Sequence, residues 1–266
     1  MTLNLHSIRA LIIDVDGVLW RGKQSLPGVA AFFDFLQSRR LPFIIATNNS
    51  MHPASDITAR LARIGAHVSE EHVLTSAEAA ALYLPRIAPN AKRVYLLGGE
   101  GLVEAMTRAG YDIVDQDADA VIAGIDVNLT YEKLKRAARE IRRGALFIGT
   151  NADKTLPVDN GDVVPGAGPI IAAIQTATDV VPIIIGKPAR AMFDIAVEKM
   201  NLPREFTAML GDRLDTDIEG GRCAGLKSIL VLTGVTTPEM LAQASVQPDF
   251  VFADLDALRE AFLQHG

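Results

Sequence analysis

Short apolar runs rich in Ile, Val and Leu alternate along the chain with longer stretches in which apolar residues recur at helical spacing. The runs are continuous rather than alternating, which marks strands buried on both faces, as in a parallel sheet covered by helices. They predict strands over Ala10 to Ile13, Pro42 to Ala46, Val94 to Leu97, Ala120 to Ala123, Leu146 to Ile148, Ile183 to Ile185, Thr207 to Leu210, Ser228 to Leu232 and Phe250 to Phe252. Helices are predicted over Val29 to Gln37, Ala54 to Ile64, Leu102 to Arg108, Tyr131 to Arg142, Ile170 to Thr176, Ala191 to Lys199 and Leu255 to Gln264. Pro53 and Gly65 frame the second of these, proline at the start and glycine past the end.

This order is that of an α/β chain with a Rossmann-like parallel-sheet core. No repeat, low-complexity segment or long Gly/Ser linker interrupts it, so a second domain has to be an insertion on short hinges. The middle segment has its own βαβαβ-like periodicity, and hinges are expected near Ser76 and Val181. The expected division is a discontinuous core of residues 1–76 and 182–266 around an α/β insertion of residues 77–181.

At 266 residues and 49% apolar content, the chain is large enough for one big domain or two modest ones. A net charge of −6 with scattered positive residues gives no footprint for a nucleic-acid backbone. The first apolar segment is too short for a signal peptide, and no run approaches the ~20 apolar residues of a membrane span. The lone Cys223 makes neither a disulfide nor a zinc cluster and reads as a packing residue, which fits a reducing cytoplasm. His6, His52, His67, His72 and His265 lack metal-site spacing and read as surface or turn residues.

The chemistry gathers where strands end. "ALIIDVDG" stops a buried run with Asp14 and Asp16, "FIIAT" reaches Thr47, "PIIIGK" reaches Lys187 and "TAMLGD" reaches Asp212. Singly, an Asp or Thr after a strand is as often a turn former or helix cap. Together they are different, because open parallel sheets bind ligands outside the carboxyl ends of their strands. Two carboxylates one residue apart raise each other's pKa, so folding stability gives no reason for the pair and a cation or a reaction does. Carboxylate oxygens supplemented by water suit Mg²⁺. An added ammonium and hydroxyl describe a site for an anion with several oxygens, such as a phosphoryl group.

The motifs "DVDGV", "TNNS", "GKP" and "GDRLDTD", in this order from Asp14 to Asp217, resemble the four motifs of the haloacid-dehalogenase-like phosphohydrolases. The long insertion between Thr47 and Lys187 resembles the subfamily with a large α/β cap between its second and third motifs, which contains p-nitrophenyl, pyridoxal and phosphoglycolate phosphatases. "TNADKTLPVDNGDVVPGAG" before "IIIGKP" is similar to that subfamily as well.

The resemblance implies a Mg²⁺-dependent phosphatase acting on a small phosphorylated metabolite through an aspartyl-phosphate. It makes Asp14 the nucleophile and Asp16 the acid and then the base. Thr47, Asn48 and Lys187 hold the phosphoryl group. Asp14, Asp16 and Asp212 serve the metal, and Asp217 supports it from behind. A twist and flap over residues 17–27 is implied, with Trp20 and Arg21 in it, and the cap allows a homodimer. Asn151, Asp153, Gly166 and Gly168 belong to the cap loop expected to choose the substrate. Leu156 stands where pyridoxal phosphatases carry a histidine, which lowers pyridoxal phosphate among the candidates.

Asp215 is expected to be solvated, while Arg213 reaches either the site or its rim. "LLGGEGLVEA" superficially suggests a nucleotide-binding turn but lacks the G-x-G-x-x-G spacing, so a tight structural turn is the expectation. Two other functions compete. A phosphoacceptor signalling module shares the acid, hydroxyl and lysine set, but needs about half this length and no second aspartate. A phosphomutase would pass the same aspartyl-phosphate to a sugar hydroxyl.

Overall fold

The computed structural model describes residues 5–157 and 163–264 and divides the chain into two compact units. The first comprises Met1–Thr47, Ser55–Leu74 and Lys187–Gly266, and the second comprises Asn48–Ala54 and Thr75–Gly186. His265 and residues 158–162 of the expected cap loop lie outside the described residues.

In the first unit, a six-stranded sheet runs in the order Phe250–Phe252, Lys227–Val231, Thr207–Gly211, Ala10–Ile13, Phe43–Thr47, Val73–Thr75. The strand Ala10–Ile13 is central and wholly buried, pairing in parallel with Thr207–Gly211 on one side (Ile13 opposite Leu210) and Phe43–Thr47 on the other (Ile13 opposite Ile45). Parallel pairing carries all carboxyl ends to one edge, so Asp14, Thr47 and Asp212 follow from the register. The helix Val29–Ser38 turns Phe32, Phe33 and Leu36 inward. The Phe33 ring lies 5.3 Å from that of Phe43. Three predicted strands and two predicted helices have the bounds observed; the others shift at their ends, by up to three residues.

The second unit has its own parallel five-stranded sheet, in the order Ile183–Ile184, Leu146–Gly149, Ala120–Ala123, Arg93–Leu97, Asp112–Ile113. Its core gathers Leu97, Val121, Phe147, Ile141, Ile171 and Ile174 from both strands and helices. An antiparallel hairpin pairs Thr155–Pro157 with Val163–Pro165.

Two differences from the expected division have local causes. The helix Ser76–Ile87 begins where a hinge was expected; Thr75 caps it, taking the Glu78 N–H at 3.1 Å while the Glu78 carboxylate takes the Thr75 N–H at 3.0 Å. Asn48–Ala54 was expected in the core but counts with the second unit. There the Met51 carbonyl accepts the Gly101 N–H at 2.9 Å. A Cβ on Gly101 would stand 2.5 Å from the backbone of His52. Gly99 and Gly101 of "LLGGEG" thus admit a passing chain, the structural turn expected for that motif.

Gly101→Ala gains up to about 1 kcal/mol of helix propensity but forces backbone apart at a cost of about 1–3 kcal/mol. A net loss is expected, read as a lower Tm; an unchanged or raised Tm would count against this packing.

Candidate active site

The central strand stops at Ile13, and the Asp14 N–H still bonds the Leu210 carbonyl at 2.8 Å. The chain then winds one turn about the Val15 carbonyl, which accepts from Leu19 N at 2.8 Å, and enters a two-stranded hairpin of Trp20–Arg21 and Gln24–Ser25. The turn separates the two aspartates of the opening motif. Asp14 is buried, whereas Asp16 is exposed.

Lys187, 3% exposed, stands between two carboxylates. Its ammonium donates to Asp14 Oδ1, and to Asp217 Oδ1 at 2.8 Å. Asp217 arrives by an unusually wide turn, in which the Ile218 N–H reaches the Arg213 carbonyl five residues back at 3.1 Å. Such turns often mark functional sites. Its other oxygen accepts the Arg213 N–H at 3.1 Å.

Asp212, at the end of Thr207–Gly211, is fully buried and accepts Val235 N–H on Oδ2 at 2.5 Å. Its Oδ1 has no hydrogen-bond partner among the described residues. Gly17 adopts φ +83°, where a Cβ would collide with the Asp212 carboxylate.

Asp14, Asp212 and Asp217 each place a carboxylate oxygen within 4.8 Å of the others. Asp217, expected behind the metal set, is the carboxylate that gathers with Asp14 and Asp212, while Asp16, expected among the ligands, has an exposed side chain outside this group. With all groups ionised, three carboxylates face one ammonium, leaving two excess negative charges. Oxygen donors, that charge and the bare Asp212 Oδ1 fit a divalent hard cation.

Burial pushes the Asp14 carboxyl well above its ordinary range; Lys187 opposes this, and Asp217 and Asp212 add to it. Burial, and next Asp217, push Asp212 up to about 7, against the Val235 N–H, Lys187 and Arg213. Burial would lower the Lys187 pKa, but Asp14 and Asp217 outweigh it and hold the ammonium charged.

Thr47 closes its strand and is buried. Asn48, the next residue, has its amide on both Asp153 oxygens at 3.1 Å, while its carbonyl accepts Ser76 Oγ at 2.6 Å and Asn151 Nδ2 at 2.7 Å. Asn151 is buried, and its Oδ1 accepts the Asp153 N–H at 3.0 Å. The Gly168 N–H bonds the Asp153 carbonyl at 2.9 Å, and a Cβ on Gly166 would collide with that carbonyl. Asn48, Asn151, Asp153, Gly166 and Gly168 thus share one network inside the second unit. Sequence reading found the residues and missed this bonding, which "TNNS" and "TNAD", about 100 positions apart, do not signal. Arg213 forms a two-pronged pair with Asp215 at 3.1 and 2.9 Å, its rim role.

A family model described as haloacid dehalogenase-like hydrolase matches residues 11–112, and a HAD-hydrolase-like model matches residues 184–258. The chain belongs to the haloacid dehalogenase-like hydrolases. It is 37% identical over 253 residues to an acid sugar phosphatase of Staphylococcus saprophyticus, covering 95% of this chain and 97% of that one. The structure of a 4-nitrophenylphosphatase from Thermotoga maritima superposes with a TM-score of 0.89 at 39% identity, covering 96% of this chain and 97% of that one. A glycerol phosphate phosphatase from Mycobacterium tuberculosis, in complex with magnesium, matches with a TM-score of 0.86 at 35% identity, covering 95% of this chain and 76% of that one. Within the family this chain is a phosphatase, a phosphoric monoester hydrolase. Among the described residues no helix is long and apolar enough to cross a membrane.

The raised Asp212 pKa has a consequence for the metal-free protein. Relative to an ordinary carboxyl at 3.8, a group at about 7 keeps its proton in the folded state, so its contribution is present below pH ~4 and lost as pH rises through about 7. In EDTA, the Tm contribution of this site should fall across that window, and the gain in Tm on adding a divalent cation should grow with pH across it. A cation-induced shift independent of pH between 4 and 8 would contradict the assignment. Asp212→Asn should remove both effects.

Proposed function

We propose that the protein hydrolyses small phosphorylated metabolites, with a sugar or polyol as leaving group, using Mg²⁺ held by Asp14, Asp212 and Asp217. The observation that carries this reading is the buried set of three carboxylates around the Lys187 ammonium, with Asp212 Oδ1 bare. The relatives named for acid sugar and glycerol phosphates support the substrate class, and the magnesium complex of one supports the ion.

Asp14 is the nucleophile in this mechanism. Lys187 engages Oδ1 and leaves Oδ2 to attack phosphorus, forming the aspartyl-phosphate as the bond to the ester oxygen breaks. Bound Mg²⁺ supplies charge neutralisation, keeping Asp14 ionised and easing the approach of carboxylate to phosphate.

Exposed Asp16 suits proton traffic with solvent. It gives its proton to the departing alkoxide, then as a carboxylate takes one from the water that attacks the phosphoryl group, regenerating Asp14 and releasing phosphate. The Thr47 hydroxyl donates to a phosphoryl oxygen, and Lys187 offsets charge on nucleophile and phosphate together. Asn48 is assigned no phosphoryl contact through its side chain, since its amide is committed to Asp153.

Asp14→Asn should abolish turnover of p-nitrophenyl phosphate and all covalent labelling, and EDTA should silence the native protein. Asp16→Asn should still accept phosphate on Asp14 and lose it slowly. Phosphate trapped on any residue but Asp14, located by peptide mass spectrometry, would reverse these roles. Transfer of phosphate to a sugar hydroxyl in preference to water would mark a mutase.

Selection among esters falls to the second unit, in residues 154–156 of its loop, because Asn151 is buried and bonded internally while Lys154 is exposed and Leu156 half-buried. Leu156→His should raise kcat/KM for pyridoxal phosphate relative to a sugar phosphate by up to about tenfold, the effect of one contact of ~1 kcal/mol. An unchanged ratio would move specificity elsewhere.

A further inference from the structure

We propose that residues 233–236 form a positioning element joining the metal-holding carboxylate of Asp212 to the backbone that carries Asp16. The Thr233 hydroxyl is its main donor, and divalent-ion binding and the setting of the hairpin at Trp20 become one event. The proposal rests on the metal reading given above. Four consecutive residues make the connection. Thr233 Oγ1 donates to the Gly17 carbonyl at 2.6 Å, and the Arg21 guanidinium donates to the Thr233 carbonyl. Gly234 packs its bare Cα against Asp212, where any Cβ would collide with the carboxylate. Val235 N–H bonds Asp212 Oδ2 at 2.5 Å, and Thr236 N–H bonds the Asp212 carbonyl at 3.2 Å.

The element thus grips both the side chain and the backbone of Asp212 while holding the residue after Asp16. Two of the buried polar atoms without a hydrogen-bond partner belong here, Asp212 Oδ1 and Thr236 Oγ1. On its other side the hairpin is held by Arg60, whose guanidinium lies 4.0 Å over the Trp20 ring and donates to the Gly22 carbonyl at 2.5 Å. A cation that draws Asp212 toward it pulls on Val235, and through Thr233 on Gly17. Thr233 is therefore a positioning residue for Asp16, touching neither ion nor substrate.

Trp20 is the chain's one tryptophan, buried under Arg60, so its emission reports on the hairpin alone. The test titrates MgCl₂ into the full-length protein, following Trp20 emission and, in parallel, heat of binding by calorimetry. Wild type should show a saturating emission change with the calorimetric Kd. Thr233→Val should lose most of that amplitude, weaken Mg²⁺ binding by about tenfold and lower kcat with KM little changed, since a buried carbonyl loses its donor. Thr233→Ser should restore all three. Arg21→Met, at an exposed position, removes the second link and should reduce the emission amplitude even where Thr233→Val fails to fold.

Wild-type behaviour in both Thr233→Val and Arg21→Met overturns the coupling, as does failure of Thr233→Ser to restore it, because packing and not the hydrogen bond would then be responsible. A wild-type protein that binds Mg²⁺ with no emission change overturns the coupling alone. One that binds no Mg²⁺ overturns the metal reading with it.

Discussion

One ammonium among three carboxylates organises the first unit. Lys187 arrives from the far side of a long insertion to stand between Asp14 and Asp217 in surroundings almost closed to water. Removing charges from water costs several kcal/mol per ion, and one cation cannot offset three anions. The arrangement is therefore incomplete on electrostatic grounds, and the deficit describes the missing partners. A divalent cation would cancel the two excess charges. Burial, with the neighbouring carboxylates adding to it, raises the pKa of both Asp14 and Asp212.

The parallel sheet makes this concentration of charge feasible. Each of the strands Ala10–Ile13, Phe43–Thr47 and Thr207–Gly211 is buried along its length, so the first polar side chain after each apolar run appears at the same edge. Stability is supplied by Phe32, Phe33, Leu11 and their neighbours, below the edge. The edge itself is free to be electrostatically unfavourable, and the buried carboxylates stand there.

What was legible in the sequence follows from this separation. Ala10–Ile13 and Ala120–Ala123 could be read to the residue because continuous apolar character and strand burial coincide there, and Phe250–Phe252 by its apolar run alone, since Val251 is exposed. Asp14, Thr47, Lys187 and Asp212 could be read because each interrupts such a run. The short strands Trp20–Arg21 and Gln24–Ser25 carried no period to detect. The helix Ser76–Ile87 was obscured by its alanines and by Pro85 near its end. The closeness of Asp217 to Asp14 and Asp212 could not be read, since the wide turn that delivers it leaves no mark in the spacing of "GDRLDTD". The alliance of Asn48 with Asn151 and Asp153 is a purely three-dimensional fact.

The peptide bond between Thr47 and Asn48 joins the two units at a point where no linker exists, with Asn48–Ala54 packed among the residues of the second. The inserted body therefore has two separate pieces of chain, and the smaller one begins inside the motif "TNNS". A hybrid enzyme made by exchanging only residues 75–186 would graft a body lacking its own Met51 carbonyl at Gly101 and its own Asn48 at Asp153. The transferable module is 48–54 together with 75–186, and an exchange that leaves out either piece has to repair the seam.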